Sequence, residues 1–271
     1  MTRDIAVLQA KAKDLRRDVL DMIYNARSGH LGGSLSEIEI MTALFHVEMN
    51  FSGANMDDPD RDRIVLSKGH TAPALYVNLA DVGCFPRERL FDSYRRVNGI
   101  LQGHPCMKTP GVEIAGGSLG IGFSTANGMA VGNRYQGYKG RVYCVIGDGE
   151  QNEGHIWETA ATAASYHVDN LLAIVDVNGL QNDAPTKEVK DMGDIAAKWK
   201  AFGWYVQEVD GHDFAQLFEA FDNARAMKGR PSVILAHTVK GKGVSFMENV
   251  VVWHGKTPSE EEYLKARKEL E

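Results

Sequence analysis

Val142 to Ile146 is an unbroken apolar run that stops at Gly147-Asp148-Gly149, and Leu171 to Val177 is a second run that stops at Asn178, thirty residues beyond Asp148. Runs of this kind suit strands buried on both faces, as in a parallel sheet. Between them, from about Gly154 through Trp157 and Ala160 to Ala164, the composition is Ala-rich and helix-forming. The pattern is a βαβ unit with Asp148 and Asn178 at equivalent strand ends. In an open parallel sheet with right-handed crossovers, ligands bind beyond the carboxyl ends of the strands, so both side chains are expected to face one pocket. A carboxylate, an amide oxygen and a nearby main-chain carbonyl are hard ligands, suited to Mg²⁺ or Ca²⁺ shared with a ligand's phosphates. Gly147 and Gly149 let backbone N–H groups approach a diphosphate with no Cβ in the way.

The rest of the chain supplies more elements of the same sheet. Ile5, Leu8, Ala12, Leu15, Val19, Met22 and Ile23 recur at helical spacing from about Asp4 to Asn25. A glycine-dense turn follows, Arg27-Ser28-Gly29-His30-Leu31-Gly32-Gly33-Ser34, and Ser36 reads as the N-cap of a helix to about Val47 with Glu37 and Glu39 in its first turn. Asp57 to Arg63 reads as a solvated loop. Ile64-Val65-Leu66 is a short strand that delivers Ser67-Lys68-Gly69-His70 to the edge shared with Asp148, ahead of an apolar helix through Ala74 and Leu79. A helix N-terminus behind a histidine suits an anion. Phe85 to Gly103 carries no clear pattern. Gly116 to Gly122 is a second glycine-rich loop, leading into a helix of small residues. Beyond the polar loop Gly179 to Asp191 come a helix from Ile195 to Phe202, a strand from Trp204 to Val209, a helix from Phe214 to Met227, a strand from Ser232 to Ala236 and a charged helix from Ser259.

Composition narrows the function. A chain of 271 residues with 44% hydrophobic content can bury one substantial core, and a formal charge of −6 with scattered basic residues argues against a nucleic-acid partner. No apolar stretch approaches the roughly 18 residues of a membrane helix, and the N-terminal region has no signal-peptide core, so a cytoplasmic protein is expected. Cys84, Cys106 and Cys144 lack metal-ligand spacing and read as reduced, packed thiols. Six of nine histidines neighbour glycine, at His30, His70, His104, His155, His212 and His254, in turns expected to gather at one sheet edge. Imidazoles so placed can exchange protons near neutrality or bond sugar hydroxyls and phosphates. His46, His167 and His237 read as packing or surface residues within helices or strands.

The segment Gly147 to Asn178 resembles the thiamine diphosphate signature, which opens on Gly-Asp-Gly and closes some thirty residues later on Asn. Four further stretches are similar to transketolase, in order and at similar spacing: Ser28 to Gly33, Leu66 to His70, Gly103-His104-Pro105 and Gly117 to Gly122, with Glu153-Gly154 and His254-Gly255 completing the set. The resemblance spans nearly the whole chain. It implies that Asp148, Asn178 and the main chain of Leu180 hold the metal. It also implies that His70, His254, Asn178 and the main chain of Gly149 contact the cofactor, and that Gly117, Ser118 and Leu119 line its thiazolium and pyrimidine region. His30, His104 and His254 would bond the ketose and assist proton transfer, and Glu153 would relay to a cofactor glutamate on the neighbouring subunit. Glu150-Gln151-Asn152 and His155 depart from the family pattern.

Only the first domain of a full transketolase resembles this chain. The implied protein is therefore the N-terminal subunit of a split transketolase, a single α/β diphosphate-binding domain over residues 1–271 with helices on both faces of a parallel sheet. It would work as an α2β2 heterotetramer with a C-terminal subunit carrying the pyrimidine-binding domain, moving a two-carbon ketol group between sugar phosphates with thiamine diphosphate and Mg²⁺ or Ca²⁺. Two rivals are the diphosphate-binding subunit of a 2-oxo acid dehydrogenase or decarboxylase, disfavoured by Lys-Gly-His and Gly-His-Pro, and a silent thiamine-binding regulatory module.

Overall fold

A computed structural model describes residues 3–271; the first two residues of the expected 1–271 domain lie outside the described residues. Five parallel strands, β1 (Arg63–Leu66), β2 (Val142–Gly147), β3 (Leu171–Val177), β4 (Tyr205–Asp210) and β5 (Ser232–His237), form one sheet in the order β1-β2-β3-β5-β4. Alternation along the strands divides the interior in two. Tyr143, Val145, Leu172, Ile174 and Ile234 face one layer, packed by the helices Ile5–Ala26, Ala72–Asp81 and Phe214–Ala226. Val142, Cys144, Ile146, Ala173, Val175 and Val233 face the other, packed by the helices Ile121–Gln136, Gly154–Ser165 and Ile195–Ala201. With both faces covered, the strands carry continuous apolar runs. The register places Gly147 beside Asp176 and Val177 beside His237, so the residues leaving β1, β2, β3 and β5 emerge along one edge.

Several local expectations are corrected. The glycine-dense turn is helical over Leu31–Ser36, and Ser36 caps nothing: its hydroxyl donates to Gly33 O (2.8 Å) and to Asp176 Oδ2 (2.6 Å). The helix then restarts at Ile38–Ala43 and widens into a π-turn at Leu44–Glu48, and both Glu37 and Glu39 are buried. Within the loop 57–63, Asp62 is buried and accepts from the N–H groups of Asn50 (2.8 Å) and Arg141 (2.7 Å), fixing the start of β2. Trp204 precedes β4 instead of opening it, buried with its indole N–H on Ala160 O (3.0 Å). The polar loop after Asn178 contains a short helix, Thr186–Lys190. His167 lies in a turn with a left-handed backbone (φ 52°), outside any helix or strand. The charged helix Glu260–Glu269 begins on a capping box of Ser259 and Glu262. Cys84 and Cys144 are buried and Cys106 half-buried, all free thiols. No helix among the described residues is long and apolar enough to cross a membrane.

Candidate active site

Asp148 leaves β2 buried. Its Oδ1 accepts from Gly149 N (2.7 Å) and its Oδ2 from Gly179 N (2.6 Å), joining the two strand ends that the sequence pairs. Burial raises its carboxyl to about 6, with the nearby Asp176 charge adding to the effect. Asn178 donates from Nδ2 to Asp176 Oδ2 (3.0 Å), which turns its amide oxygen the other way, where it accepts from Leu180 N (3.2 Å). The Leu180 and Gln181 carbonyls both accept from the Lys240 ammonium (3.1 and 3.0 Å), which also meets His254 Nδ1 at 2.9 Å. One carboxylate, one oriented amide oxygen and one carbonyl already turned toward a cation form a donor set that fits a hard divalent ion.

A cavity of about 250 Å³ opens over this set, lined by Asp148, Gly149, Asn178, Leu180, His70, Leu119, Glu153, Lys240 and His254. Gly117 and Ser118, which precede Leu119, are exposed and outside the lining, and Glu153 is exposed at the start of the helix Gly154–Ser165. Gly149 is in the wall, but its N–H is already given to Asp148. A larger hollow of about 630 Å³ lies on the far side of Asp148, lined by Val177, Met192, Ile195 and Leu235 and remote from the histidine cluster.

Four of the six glycine-flanked histidines converge. The His30 ring packs edge-on against His70 (5.4 Å between centroids), His254 (5.4 Å) and His104 (6.0 Å), and His70 stacks on His254 at 5.0 Å. His155 and His212 do not join them: His155 is exposed beside Glu158, and His212 bridges Glu39 (2.9 Å) and the Val239 N–H (2.9 Å). Burial lowers His30 to about 4, helped by the Arg95 charge, and lowers His254 to about 3, helped by Lys240. His70 is pushed well down and His104 down, also chiefly by burial. All four are neutral imidazoles at pH 7, able to accept a proton or to donate one hydrogen bond each.

Beneath the site lies a charged layer that sequence reasoning missed. Lys68, 2% exposed, is paired with Asp176 and with Glu37 (2.9 Å), both fully enclosed. Asp176 also accepts from Ser36, Thr238 and Asn178, so it sets the pose of Asn178. Burial opposes the charge on Lys68, and the two carboxylates overcome it, raising its affinity for the proton. Burial likewise pushes Asp176 up, but Lys68 outweighs it and holds Asp176 ionised; Glu37, with less compensation, rises to about 7. The signal was present as an aspartate inside an apolar strand, which requires a partner. Glu150 was also missed as a structural hub. It accepts from Ser67 Oγ, Gly120 N (2.7 Å) and Gly147 N (3.0 Å), stapling the ends of β1, the second glycine-rich loop and the metal turn together.

Residues 7–271 match the family model described as "Transketolase, thiamine diphosphate binding domain". The chain belongs to the transketolase family. It is 42% identical over 265 residues to a 6-deoxy-6-sulfo-D-fructose transketolase subunit of Clostridium sp. (strain MSTE9), covering 97% of this chain and 96% of that one. To an apulose-4-phosphate transketolase subunit of Phocaeicola vulgatus it is 37% identical, covering 98% and 94%. The fold matches the crystal structure of transketolase from Campylobacter jejuni with a TM-score of 0.92 at 30% identity, over 100% of this chain and 43% of that one. The chain thus spans less than half of that solved transketolase, and nearly all of the two relatives named as subunits. These matches favour transketolase over both rivals, the 2-oxo acid dehydrogenase component and the silent module.

Proposed function

We propose that this chain is the diphosphate- and metal-binding half of a two-chain transketolase, which moves a two-carbon ketol group from a ketose phosphate to an aldose phosphate once a partner subunit supplies the pyrimidine-binding domain. The observation that carries this reading is the convergence of His30, His70, His104 and His254 at the sheet edge that also presents Asp148, Asn178 and Leu180. In this reading the assembly is an α2β2 heterotetramer in the cytoplasm.

Asp148, the Asn178 amide oxygen and the Leu180 carbonyl would hold Mg²⁺, or Ca²⁺ in its place, against the cofactor diphosphate, with His70, His254 and Gly149 beside the phosphates. Gly117, Ser118 and Leu119 would line the thiazolium and pyrimidine region. Thiamine diphosphate, when bound, supplies the electron sink for breaking and making the carbon–carbon bond. The chain's own residues bind, orient and move protons. His30, His104 and His254, kept neutral by burial, bond the ketose hydroxyls and take or return a proton as the bond changes. Glu153, exposed beside the glycine-rich loop, faces outward, where a carboxylate of the partner can meet it. His30→Ala is expected to lower turnover far more than cofactor affinity.

The test is recovery of the chain with its partner from native lysate, followed by thiamine- and Mg²⁺-dependent release of glyceraldehyde 3-phosphate from xylulose 5-phosphate. Release by the complex and none by the chain alone is expected. Failure of the complex with every ketose phosphate tried, combined with decarboxylation of a 2-oxo acid, would overturn the reading.

A further inference from the structure

His212 stands outside the histidine cluster, but it belongs to a buried chain of bonds that leads back to it. Gly211 brings the turn after β4 against the turn after β5: an added Cβ there would stand 2.5 Å from Thr238 Cγ2. From this position His212 Nδ1 meets Glu39 Oε2 (2.9 Å), and its Nε2 accepts from Val239 N (2.9 Å). Glu39, on the helix Ile38–Ala43, is 7% exposed and receives both terminal nitrogens of Arg16 (2.5 Å each). Burial opposes its charge, but Arg16 and the bond from His212 outweigh burial and hold its carboxyl at about 2. An ionised carboxylate only accepts, so His212 carries its proton on Nδ1 and keeps Nε2 as the acceptor for Val239.

One carboxylate thereby secures both ends of one turn. Through His212 it holds the N–H of Val239, and through Arg16, whose Nε donates to Lys242 O (3.1 Å), it holds the carbonyl of Lys242. Between these points the turn closes on itself, Lys242 N to Val239 O (3.1 Å), and Gly241 N donates to Gly32 O (2.9 Å) in the helix Leu31–Ser36. A buried pair such as Arg16 and Glu39 gains little net stability over apolar packing, so its use here is to tie this turn down. The residue the turn presents is Lys240, 2% exposed. Its ammonium donates to the carbonyls of Leu180 and Gln181 and to His254 Nδ1 (2.9 Å). An ammonium has no lone pair to offer, so the neutral His254 ring keeps its own proton on Nε2.

We propose that His212 and Arg16, joined by Glu39, are positioning residues for the cofactor site: they lock the turn 239–242 so that Lys240 holds the Leu180 carbonyl and the Nε2–H form of His254 in place. Lysine reaches its targets through a flexible four-carbon stem, so a small shift of its backbone carries the ammonium out of reach. The metal loop and a cluster histidine would then lose their orientation together. The inference rests on the transketolase reading and deepens it, since it assigns the pose of the diphosphate-binding half-site to three buried residues that touch neither metal nor cofactor.

The experiment compares His212→Leu, His212→Gln, Lys240→Met and the double variant His212→Leu with Lys240→Met in the two-chain complex. It reads amide hydrogen exchange by mass spectrometry and calorimetric affinity for thiamine diphosphate in the presence of Mg²⁺. In His212→Leu the amides of 239–243 are expected to exchange at least about 10-fold faster, with β5 and the rest of the sheet unchanged. Cofactor affinity is expected to fall by about 10-fold, as it does when a partner behind a metal ligand is lost. His212→Gln, whose amide offers one donor and one acceptor, is expected to recover most of both. With Lys240 already replaced, His212→Leu is expected to change the affinity by less than about 2-fold, because its effect runs through the ammonium. Equal loss in both backgrounds would overturn the proposal, as would unchanged exchange at 239–243 or faster exchange spread over the whole chain. Should His212→Leu fail to fold, His212→Asn, which keeps a donor for Glu39 and loses the acceptor for Val239, is read in its place with the same outcomes. Should the wild-type complex bind no thiamine diphosphate, the transketolase reading fails separately. Exchange then decides alone: speeding confined to 239–243 supports the clamp, and no change overturns it.

Discussion

Lys68→Met isolates the charge in the layer under the site. Methionine keeps most of the aliphatic volume of lysine, so packing is largely conserved and the loss is the ammonium itself. Lys68 is 2% exposed, and its partners Asp176 and Glu37 are fully enclosed. Removing one member of a buried ion pair leaves an uncompensated charge and costs about 3–5 kcal/mol. Glu37 can relieve its share by taking a proton, since burial already raises it to about 7. Asp176 cannot do so as readily, because it also accepts from Ser36 (2.6 Å), Asn178 (3.0 Å) and Thr238. The expected cost at pH 7 is therefore about 3 kcal/mol, which for a chain of this size lowers Tm by on the order of 10 °C. Urea unfolding of Lys68→Met, Asp176→Asn and the double variant closes a mutant cycle. The double variant is expected to be less destabilised than the sum of the singles by at least about 2 kcal/mol. A single cost below about 1 kcal/mol, or strict additivity, would refute the idea that this triad carries the floor of the site.

Other perturbations test separate parts of the structure. Burial lowers His30 to about 4 and His254 to about 3 from an ordinary 6.5, so their contribution to stability is complete above pH 6.5 and is lost as pH falls toward 4. Asp148 and Glu37, raised by burial, take up protons in the folded state over the same range and oppose this loss, so the histidine share is read as a difference: from pH 7 to pH 5 the urea midpoint of His30→Gln with His254→Gln should fall less, or rise more, than that of the wild type, and an identical slope would show that the cluster does not contribute. Glu150→Gln turns one of the two accepting oxygens, which serve Gly120 N and Gly147 N separately, into an NH₂ donor that faces an N–H, and is expected to cost about 1–3 kcal/mol in calorimetry. Gly122→Ala places a Cβ 2.6 Å from Ser67 Cα, a backbone atom that cannot swing aside, and should destabilise by about 1–3 kcal/mol and weaken cofactor binding; a neutral result would mean the loop is loosely held.

The sheet was readable because buried parallel strands leave continuous apolar runs, and the βαβ unit from Val142 to Asn178 appears with its boundaries within about a residue. The metal turn was readable because its chemistry is local, held by Gly147 to Gly149 and by one asparagine at the next strand end. What escaped is long-range. Lys68 and Asp176 are 108 positions apart, and Ser36 and Asp176 are 140 apart, so no local pattern joins them. Ser36 looks like an N-cap because a serine before two glutamates usually is one, and here a tertiary bond to Asp176 prevails.

The most direct test of the central claim is calorimetric titration of thiamine diphosphate into the two-chain complex, with and without Mg²⁺, for the wild type and Asp148→Asn. Mg²⁺-dependent binding that Asp148→Asn weakens by at least about 10-fold is the result expected from a metal held by a single carboxylate, one amide oxygen and one carbonyl. Equally tight binding without Mg²⁺, or an affinity indifferent to Asp148, would contradict the claim that this sheet edge holds the metal and the diphosphate.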